Sequence, residues 1–248
     1  MRVVIVTAWV GREYCSKYYL ESVRRLKVPD GTAYLVVDAS KKGFNVEPWM
    51  KDKFSEVVVH KGVVPDNPEA VRSEKFENIR QNHCLLSRYS QDIKGDYVLV
   101  FDDDMSVPNY GLERLLKLTK LDKFGFGCAW SNHKSYYPDA VGRPTVWRFV
   151  SDNPDKYSAK MGDDIRLETI MPPPEWAKVT EIDACGTAFA LFRKKLFDGH
   201  EFVIERNGLF GIDITLCYKI RRLGYKGYVD WTVKTCHYEL IDGEVVVW

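Results

Sequence analysis

The sequence contains six cysteines, at 15, 84, 128, 185, 217 and 236, but no Cys-x-x-Cys pair. Without close-set pairs a structural zinc site is not expected. The cysteines fall inside apolar stretches, which fits reduced core thiols in a reducing compartment. No apolar run approaches the roughly 20 residues that a membrane span needs. The opening MRVVIVTAWVG has one Arg, a short apolar run and a poor cleavage-site pattern. It reads as a first buried strand, not as a signal peptide, and a soluble, cytoplasmic chain is expected. An excess of one charge is also missing: 36 Lys and Arg face 35 Asp and Glu, a formal +1 over 248 residues. Such a balance gives no global field toward nucleic acid or anionic membrane, while leaving room for a local basic patch. Internal repeats and low-complexity linkers are absent. With 45% hydrophobic and 29% charged residues the chain is not mostly disordered, and its length supports a full core without staples.

The first half alternates strand and helix patterns. Val3 to Val6, Tyr34 to Val37, Val57 to Val59 and Tyr97 to Phe101 are short apolar runs of the kind buried on both faces. Cys15, Tyr19, Val23 and Leu26 lie at helical spacing before Pro29-Asp30-Gly31. Ile79, Leu86, Tyr89 and Ile93 predict a helix from about 73 to 94, ended by Gly95. This order predicts an α/β layered fold with a mostly parallel sheet. The second half is less regular. Phe124 to Trp130, Thr187 to Phe192, Tyr228 to Val233 and Glu244 to Val247 read as strands. Ile212, Leu216, Ile220 and Leu223 read as one buried stripe of a helix closed by Gly224. Residues 131–178, rich in Pro, Tyr, Trp and Asp, read as functional loop. One domain is expected, with a nucleotide-binding half over about 1–105 and an acceptor-binding half over about 106–248.

Chemistry concentrates at Asp102-Asp103-Asp104, where an apolar strand ends. Three adjacent carboxylates repel one another and resist burial, so they call for a cation or for solvent. Alternation in an extended segment would set Asp102 and Asp104 on one side and Asp103 opposite. Hard oxygen ligands at the carboxyl end of a parallel strand suit Mg²⁺ or Mn²⁺; the alternative is a solvated acidic turn before Pro108. Asp38 ends the second strand and fits either a ribose or base contact or a turn. Asp213 opens the last helix and fits either a cap or a general base. There the helix dipole is expected to favour the ionised form and keep the base weak. His237 fits a structural histidine or a further metal ligand. Arg80, within Arg80-Gln81-Asn82, fits an exposed helix face or a diphosphate contact. Trp130, Tyr136, Tyr137, Trp147 and Trp176 either pack loops or stack on a sugar or base.

In combination these stretches resemble a glycosyltransferase of the GT-A fold, family-2-like, over most of the chain. Thr7-Ala8 is similar to the family's nucleotide-binding start, and Val37-Asp38-Ala39-Ser40 to its nucleoside-contacting acid. Arg80-Gln81-Asn82 resembles the Arg-x-Asn helix, and Leu99 to Asp104 the Asp-x-Asp metal motif. Ala184-Cys185-Gly186-Thr187-Ala188-Phe189 is similar to the small-residue strand of the acceptor side. Gly211-Ile212-Asp213 with Arg221-Arg222-Leu223-Gly224-Tyr225 resembles the Glu-Asp base helix, with Ile212 in place of the Glu. His237 resembles the late metal-binding His. The resemblance implies a mixed, mostly parallel sheet flanked by helices and metal-dependent transfer of one sugar. The donor would be a UDP- or GDP-linked sugar, and the acceptor a glycan, lipid-linked sugar, protein or hydroxylated nucleobase. It implies Mn²⁺ or Mg²⁺ at Asp102, Asp104 and His237. Thr7, Ala8, Asp38, Arg80, Asn82, Asp102 and Asp103 would hold the donor, and Asp213 would act as base with inversion. The processive Gln-x-x-Arg-Trp signature is absent. Two rivals are a sugar nucleotidyltransferase, which wants more glycine than the single Gly11 of Thr7 to Arg12, and a non-catalytic sugar- or nucleotide-binding module.

Overall fold

The computed structural model describes residues 1–64, 72–132, 143–150, 166–173, 178–203 and 212–248. The first half runs β1 (Val3–Trp9), α1 (Ser16–Arg25), β2 (Ala33–Asp38), α2 (Pro48–Lys53), β3 (Glu56–Lys61), α3 (Arg72–Ser90) and β4 (Tyr97–Phe101). After the aspartates come β5 (Met105–Ser106), α4 (Gly111–Leu118), β6 (Phe124–Trp130), β7 (Val146–Val150) and β8 (Arg166–Thr169). The chain continues through β9 (Val179–Ile182), β10 (Ala184–Cys185), β11 (Phe189–Arg193), α5 (Lys194–Phe197) and α6 (Ile212–Arg222). It ends with β12 (Lys226–Lys234), β13 (Cys236–Ile241) and β14 (Glu244–Val247).

Eight strands form the central sheet in the order β3-β2-β1-β4-β11-β6-β12-β9. All neighbours are parallel except at β11 and β9, which run against theirs. Side-chain alternation along each strand divides the core between two faces. Val4, Val6, Leu35, Val98 and Val100 pack with Leu86 of α3 and Leu216 and Ile220 of α6. Val3, Ile5, Tyr34, Leu99 and Phe101 pack with Tyr19 of α1, Met50 of α2 and Leu115 of α4. A sheet covered on both faces explains why its central strands are unbroken apolar runs. Two three-stranded sheets, β10-β7-β8 and β14-β13-β5, lie beside it.

Several expectations need correction. α3 ends at Ser90, earlier than the periodicity implied. The Ser90 hydroxyl reaches Asp198 Oδ1 at 2.7 Å, and the amides of Gln91, Asp92 and Ile93 turn back onto carbonyls three residues earlier. Leu223 is 58% exposed and lies past the helix end, outside the buried stripe. The 131–178 segment is not loop throughout, because β7 and β8 pair within it; residues 133–142, 151–165 and 174–177 of that segment, with Tyr136, Tyr137 and Trp176, lie outside the described residues. All six cysteines are free, with Cys84 and Cys236 only partly buried. Among the described residues no helix is long and apolar enough to cross a membrane.

Candidate active site

β4 delivers the three aspartates into a tight turn. The Asp102 amide donates to Ala188 O at 3.0 Å, and the Met105 amide to Asp102 O at 3.3 Å. The turn sends Asp103 and Asp104 to different partners. Asp103, 1% exposed, faces the loop after β1. Its Oδ2 accepts the Val10 and Gly11 amides at 2.7 and 3.1 Å, and its Oδ1 pairs with the Arg12 guanidinium. Gly11 holds φ +73°, and a Cβ there would lie 2.8 Å from the Ser40 Cβ, so glycine is required at that turn. Asp104 faces β13. Pairing of β13 with β5 sets His237 opposite Met105, and the Tyr238 amide donates to Asp104 O at 2.9 Å. His237 Nε2 then lies 3.3 Å from Asp104 Oδ1, and Arg12 Nη1 lies 3.4 Å from Asp104 Oδ2.

Burial dominates the electrostatics of the cluster. Together with the charge of Asp104 it pushes the Asp102 carboxyl up to about 7, with His237 and Arg12 opposing. Burial also raises Asp103 in spite of Arg12. Burial works against the charge of Arg12, but Asp103 and Asp104 outweigh it and hold the guanidinium charged more firmly than usual.

Among the described residues no three His, Cys, Asp or Glu side chains are arranged to hold a metal ion. The Asp104–His237 pair nevertheless fits two positions of a small divalent cation. Donors about 2.1 Å from an octahedral ion lie about 3 Å apart at adjacent vertices. Carboxylate oxygen with imidazole nitrogen suits Mn²⁺. His237 Nδ1 is buried without a hydrogen-bond partner, and Nε2, which faces Asp104, is the ring nitrogen placed to meet a cation.

Asp213 lies beside the segment before β11. A Cβ at Gly186 would lie 3.7 Å from Asp213 Oδ2, and two residues on, Ala188 accepts the Asp102 amide. Asp213 Oδ1 accepts the next amide, Ile214 N, at 2.9 Å, rather than one two or three residues on as an N-cap does. Burial raises its carboxyl above the usual range, against hydrogen bonds from the Ile214, Asp213 and Thr187 amides and the influence of His83. The helix-dipole expectation of a weak base is therefore corrected, because desolvation outweighs the local amides.

The other sequence-selected residues have local partners. Thr7 is fully buried; its hydroxyl donates to Phe101 O at 2.9 Å and meets Tyr19 Oη at 2.5 Å. A hydroxyl has one proton, so Tyr34 donates to Tyr19 and Tyr19 to Thr7, a relay that ties β2, α1, β1 and β4. Ala8 is half-buried in β1, opposite Val37. Asp38 Oδ1 accepts the Ser40 amide and hydroxyl at 2.9 and 2.6 Å, and its Oδ2 accepts the Phe44 amide at 3.0 Å. Burial opposes ionisation of Asp38, but these donors and Lys61 outweigh it and lower the carboxyl below the usual range. Asn82 clamps the backbone of Val63 through both amide atoms, at 2.8 and 3.1 Å. Arg80 holds Glu77 and donates to Phe202 O at 3.1 Å. Trp147 is buried, while Trp130 donates to Trp231 O at 2.9 Å.

Two residues at the site carry no signal in the sequence. Arg12 follows an apolar strand as any turn residue does. His83 lies one position past Asn82 on α3; its Nδ1 donates to Ile79 O at 2.9 Å and its Nε2 is buried without a partner.

No family model and no curated protein matches the chain by sequence. Solved structures do match by shape. The crystal structure of GalNAc-T7 with UDP, GalNAc and Mn²⁺ aligns with a TM-score of 0.55 at 11% identity, over 98% of this chain and 44% of that one. The mannosyltransferase PcManGT from Pyrobaculum calidifontis, in complex with GDP-Man and Mn²⁺, aligns with a TM-score of 0.51 at 12% identity, over 94% and 55%. A197 from STIV aligns with a TM-score of 0.48 at 11% identity, over 100% and 94%. The chain thus spans about half the length of the two glycosyltransferases. The mixed, mostly parallel sheet flanked by helices, matched over nearly the whole chain by these two enzymes, is the GT-A fold.

Proposed function

We propose that this protein transfers one sugar from a nucleoside diphosphate sugar, UDP- or GDP-linked, to an acceptor hydroxyl. The observation that carries this reading is the linkage of two carboxylate centres. The 186–188 segment runs from beside Asp213 to the carbonyl that holds Asp102. A base and an acidic, cation-fitting turn therefore flank one strand entry at the carboxyl end of β4, where open α/β sheets bind ligands. The two fold neighbours, solved with UDP or GDP-Man and Mn²⁺, support the donor class.

Asp104 and His237 would hold Mn²⁺ or Mg²⁺, with Asp102 beside them. The ion would neutralise charge on the departing diphosphate. Arg12 and Asp103 fix the loop after β1. Asp38 acts through the 40–44 turn that it organises, as one wall for the nucleoside. Asp213 takes the acceptor proton, its raised basicity suiting that role, and one base opposite one leaving group implies inversion.

The test is incubation with UDP- and GDP-sugars, Mn²⁺ and a panel of glycan, lipid-linked and peptide acceptors. Free nucleoside diphosphate is the expected product. Pyrophosphate would instead mark a nucleotidyltransferase, and no turnover a binding module. Asp213→Asn should fold, bind nucleotide normally and lose at least ~10²-fold in rate; near-normal turnover in that variant would move the base elsewhere.

A further inference from the structure

Trp130 ends β6 level with the aspartate turn. β4 and β6 both run against β11, so their carboxyl ends share one edge of the sheet. Ala190 pairs with Cys128, and the same register sets Ala188 level with Trp130. On its other side the Ala188 carbonyl holds the Asp102 amide. Two strand spacings, roughly 10 Å, therefore separate Asp102 from Trp130. Trp130 packs against the core cluster that contains Leu216 and Ile220 of α6, the helix whose first turn carries Asp213.

The backbone around Trp130 leads to both functional centres. The Trp130 carbonyl accepts the Thr235 amide at 2.9 Å, two residues before His237. In the other direction Ser131 O accepts the Thr145 amide and Thr145 O accepts the Gly186 amide, both at 2.9 Å. Gly186 is the residue whose added Cβ would lie 3.7 Å from Asp213 Oδ2.

The indole is fixed and keeps an outward face. Its Nε1–H donates to Trp231 O at 2.9 Å, and Trp231 is fixed in turn by Thr180 Oγ1 at 2.8 Å. β12 shifts register between Val229 and Lys234, where Asp230 Oδ1 accepts the Thr232 amide and hydroxyl, and it returns with Lys234 opposite Trp130. Irregularities of this kind re-aim side chains beside sites. Lys234 is exposed, and its Nζ lies 5.2 Å from the Trp130 ring centroid. An ammonium in solvent marks the ring face beneath it as the outward one. That face is electron-rich and attracts the C–H groups of a sugar ring. The ammonium beside it only donates, which suits sugar hydroxyls.

We propose that Trp130 and Lys234 form a subsite for the acceptor, and that the acceptor is a carbohydrate, one sugar ring lying on the indole with a hydroxyl on the Lys234 ammonium. The subsite's role rests on the transferase reading above; its binding does not. The test uses full-length protein labelled with ¹⁵N at tryptophan, without donor or metal. The Trp130 indole N–H signal is assigned by its loss in Trp130→Phe. Oligosaccharides of glucose, galactose, mannose and N-acetylglucosamine are titrated, with glycerol and a serine peptide as controls. The expected result is a saturable shift of that signal with at least one oligosaccharide and none with either control. Saturation-transfer NMR of the sugar reads affinity in the variants. Trp130→Ala should weaken it at least ~10-fold, and Lys234→Met, at an exposed position, at least ~3-fold. No saturable shift with any oligosaccharide, a shift with the peptide alone, or unchanged affinity in Lys234→Met would overturn the proposal. Should Trp130→Ala fail to fold, Lys234→Met decides. Sugar binding at Trp130 without release of nucleoside diphosphate in the donor assay would support the subsite and count against the transferase reading; release without such binding would do the reverse.

Discussion

Replacing Arg12 by Met keeps most of the aliphatic reach and removes the charge that faces two aspartates. The Arg12 side chain is 29% exposed, and that of its partner Asp103 is 1% exposed. The variant leaves Asp103 with the Val10 and Gly11 amides but without the cation that pairs with it. Removing one partner of a buried pair costs about 3–5 kcal/mol. Because the two amides persist and Arg12 is partly solvated, the low end applies, about 3 kcal/mol at pH 7.5. In a chain of this length each kcal/mol moves the midpoint by about 2–4 °C, so Tm should fall by about 6–12 °C. Asp103→Asn on top of Arg12→Met removes the stranded charge while its carbonyl still accepts an amide. The double variant should therefore recover at least ~1 kcal/mol over Arg12→Met alone. Urea unfolding followed by circular dichroism measures all three proteins. A loss below ~1 kcal/mol in Arg12→Met, or strict additivity in the double variant, would refute the assignment of Arg12 as the stabilising counter-charge.

Asp104→Asn should abolish the Mn²⁺-dependent part of UDP or GDP binding in calorimetry, and unchanged Mn²⁺ dependence would remove Asp104 from the metal set. Thr7→Val breaks the Tyr34–Tyr19–Thr7–Phe101 relay and should cost about 1–2 kcal/mol with donor affinity unchanged; weakened nucleotide binding without loss of stability would make Thr7 a ligand. His200 is held down to about 4, first by burial and then by Lys219. Between pH 6.5 and 4 the unfolded chain binds a proton there that the folded chain refuses, so stability falls as pH falls across that window, by roughly 3 kcal/mol for this one group. His200→Gln should flatten that acid limb in pH-dependent urea titrations, and an unchanged limb would show that the ring protonates freely in the fold.

Much of the architecture was legible in the chain itself. Short runs such as Val3 to Val6 and Tyr97 to Phe101 mark strands covered on both faces, because a parallel sheet in an α/β layer leaves neither face to solvent. The local acidic pattern Asp102-Asp103-Asp104 was equally legible, since like charges packed at a strand end demand an external partner. Leu112, Leu115, Leu116 and Leu118 form the buried stripe of α4, and their spacing is itself a helical period. β7 and β8 were not recoverable from period, because they are short strands of a small sheet whose burial depends on what packs over them.

The sequence also determined which residue types were available to the site, but not which of them meet. Asp104 and His237 are distant in sequence and become neighbours only because β13 pairs with β5. Asp213 comes beside the segment before β11, whose Ala188 carbonyl accepts the Asp102 amide. Thr7 and Asn82 fit a motif in one dimension, yet in three they tie strands and a helix together, because a buried hydroxyl or amide must find partners wherever packing puts them. Arg12 shows the converse: an unremarkable turn residue becomes the counter-charge of Asp103 because β1 and β4 lie side by side. Pairing between strands is a non-local decision, made by burial and register over the whole sheet, and the charges that a site brings together are fixed only there.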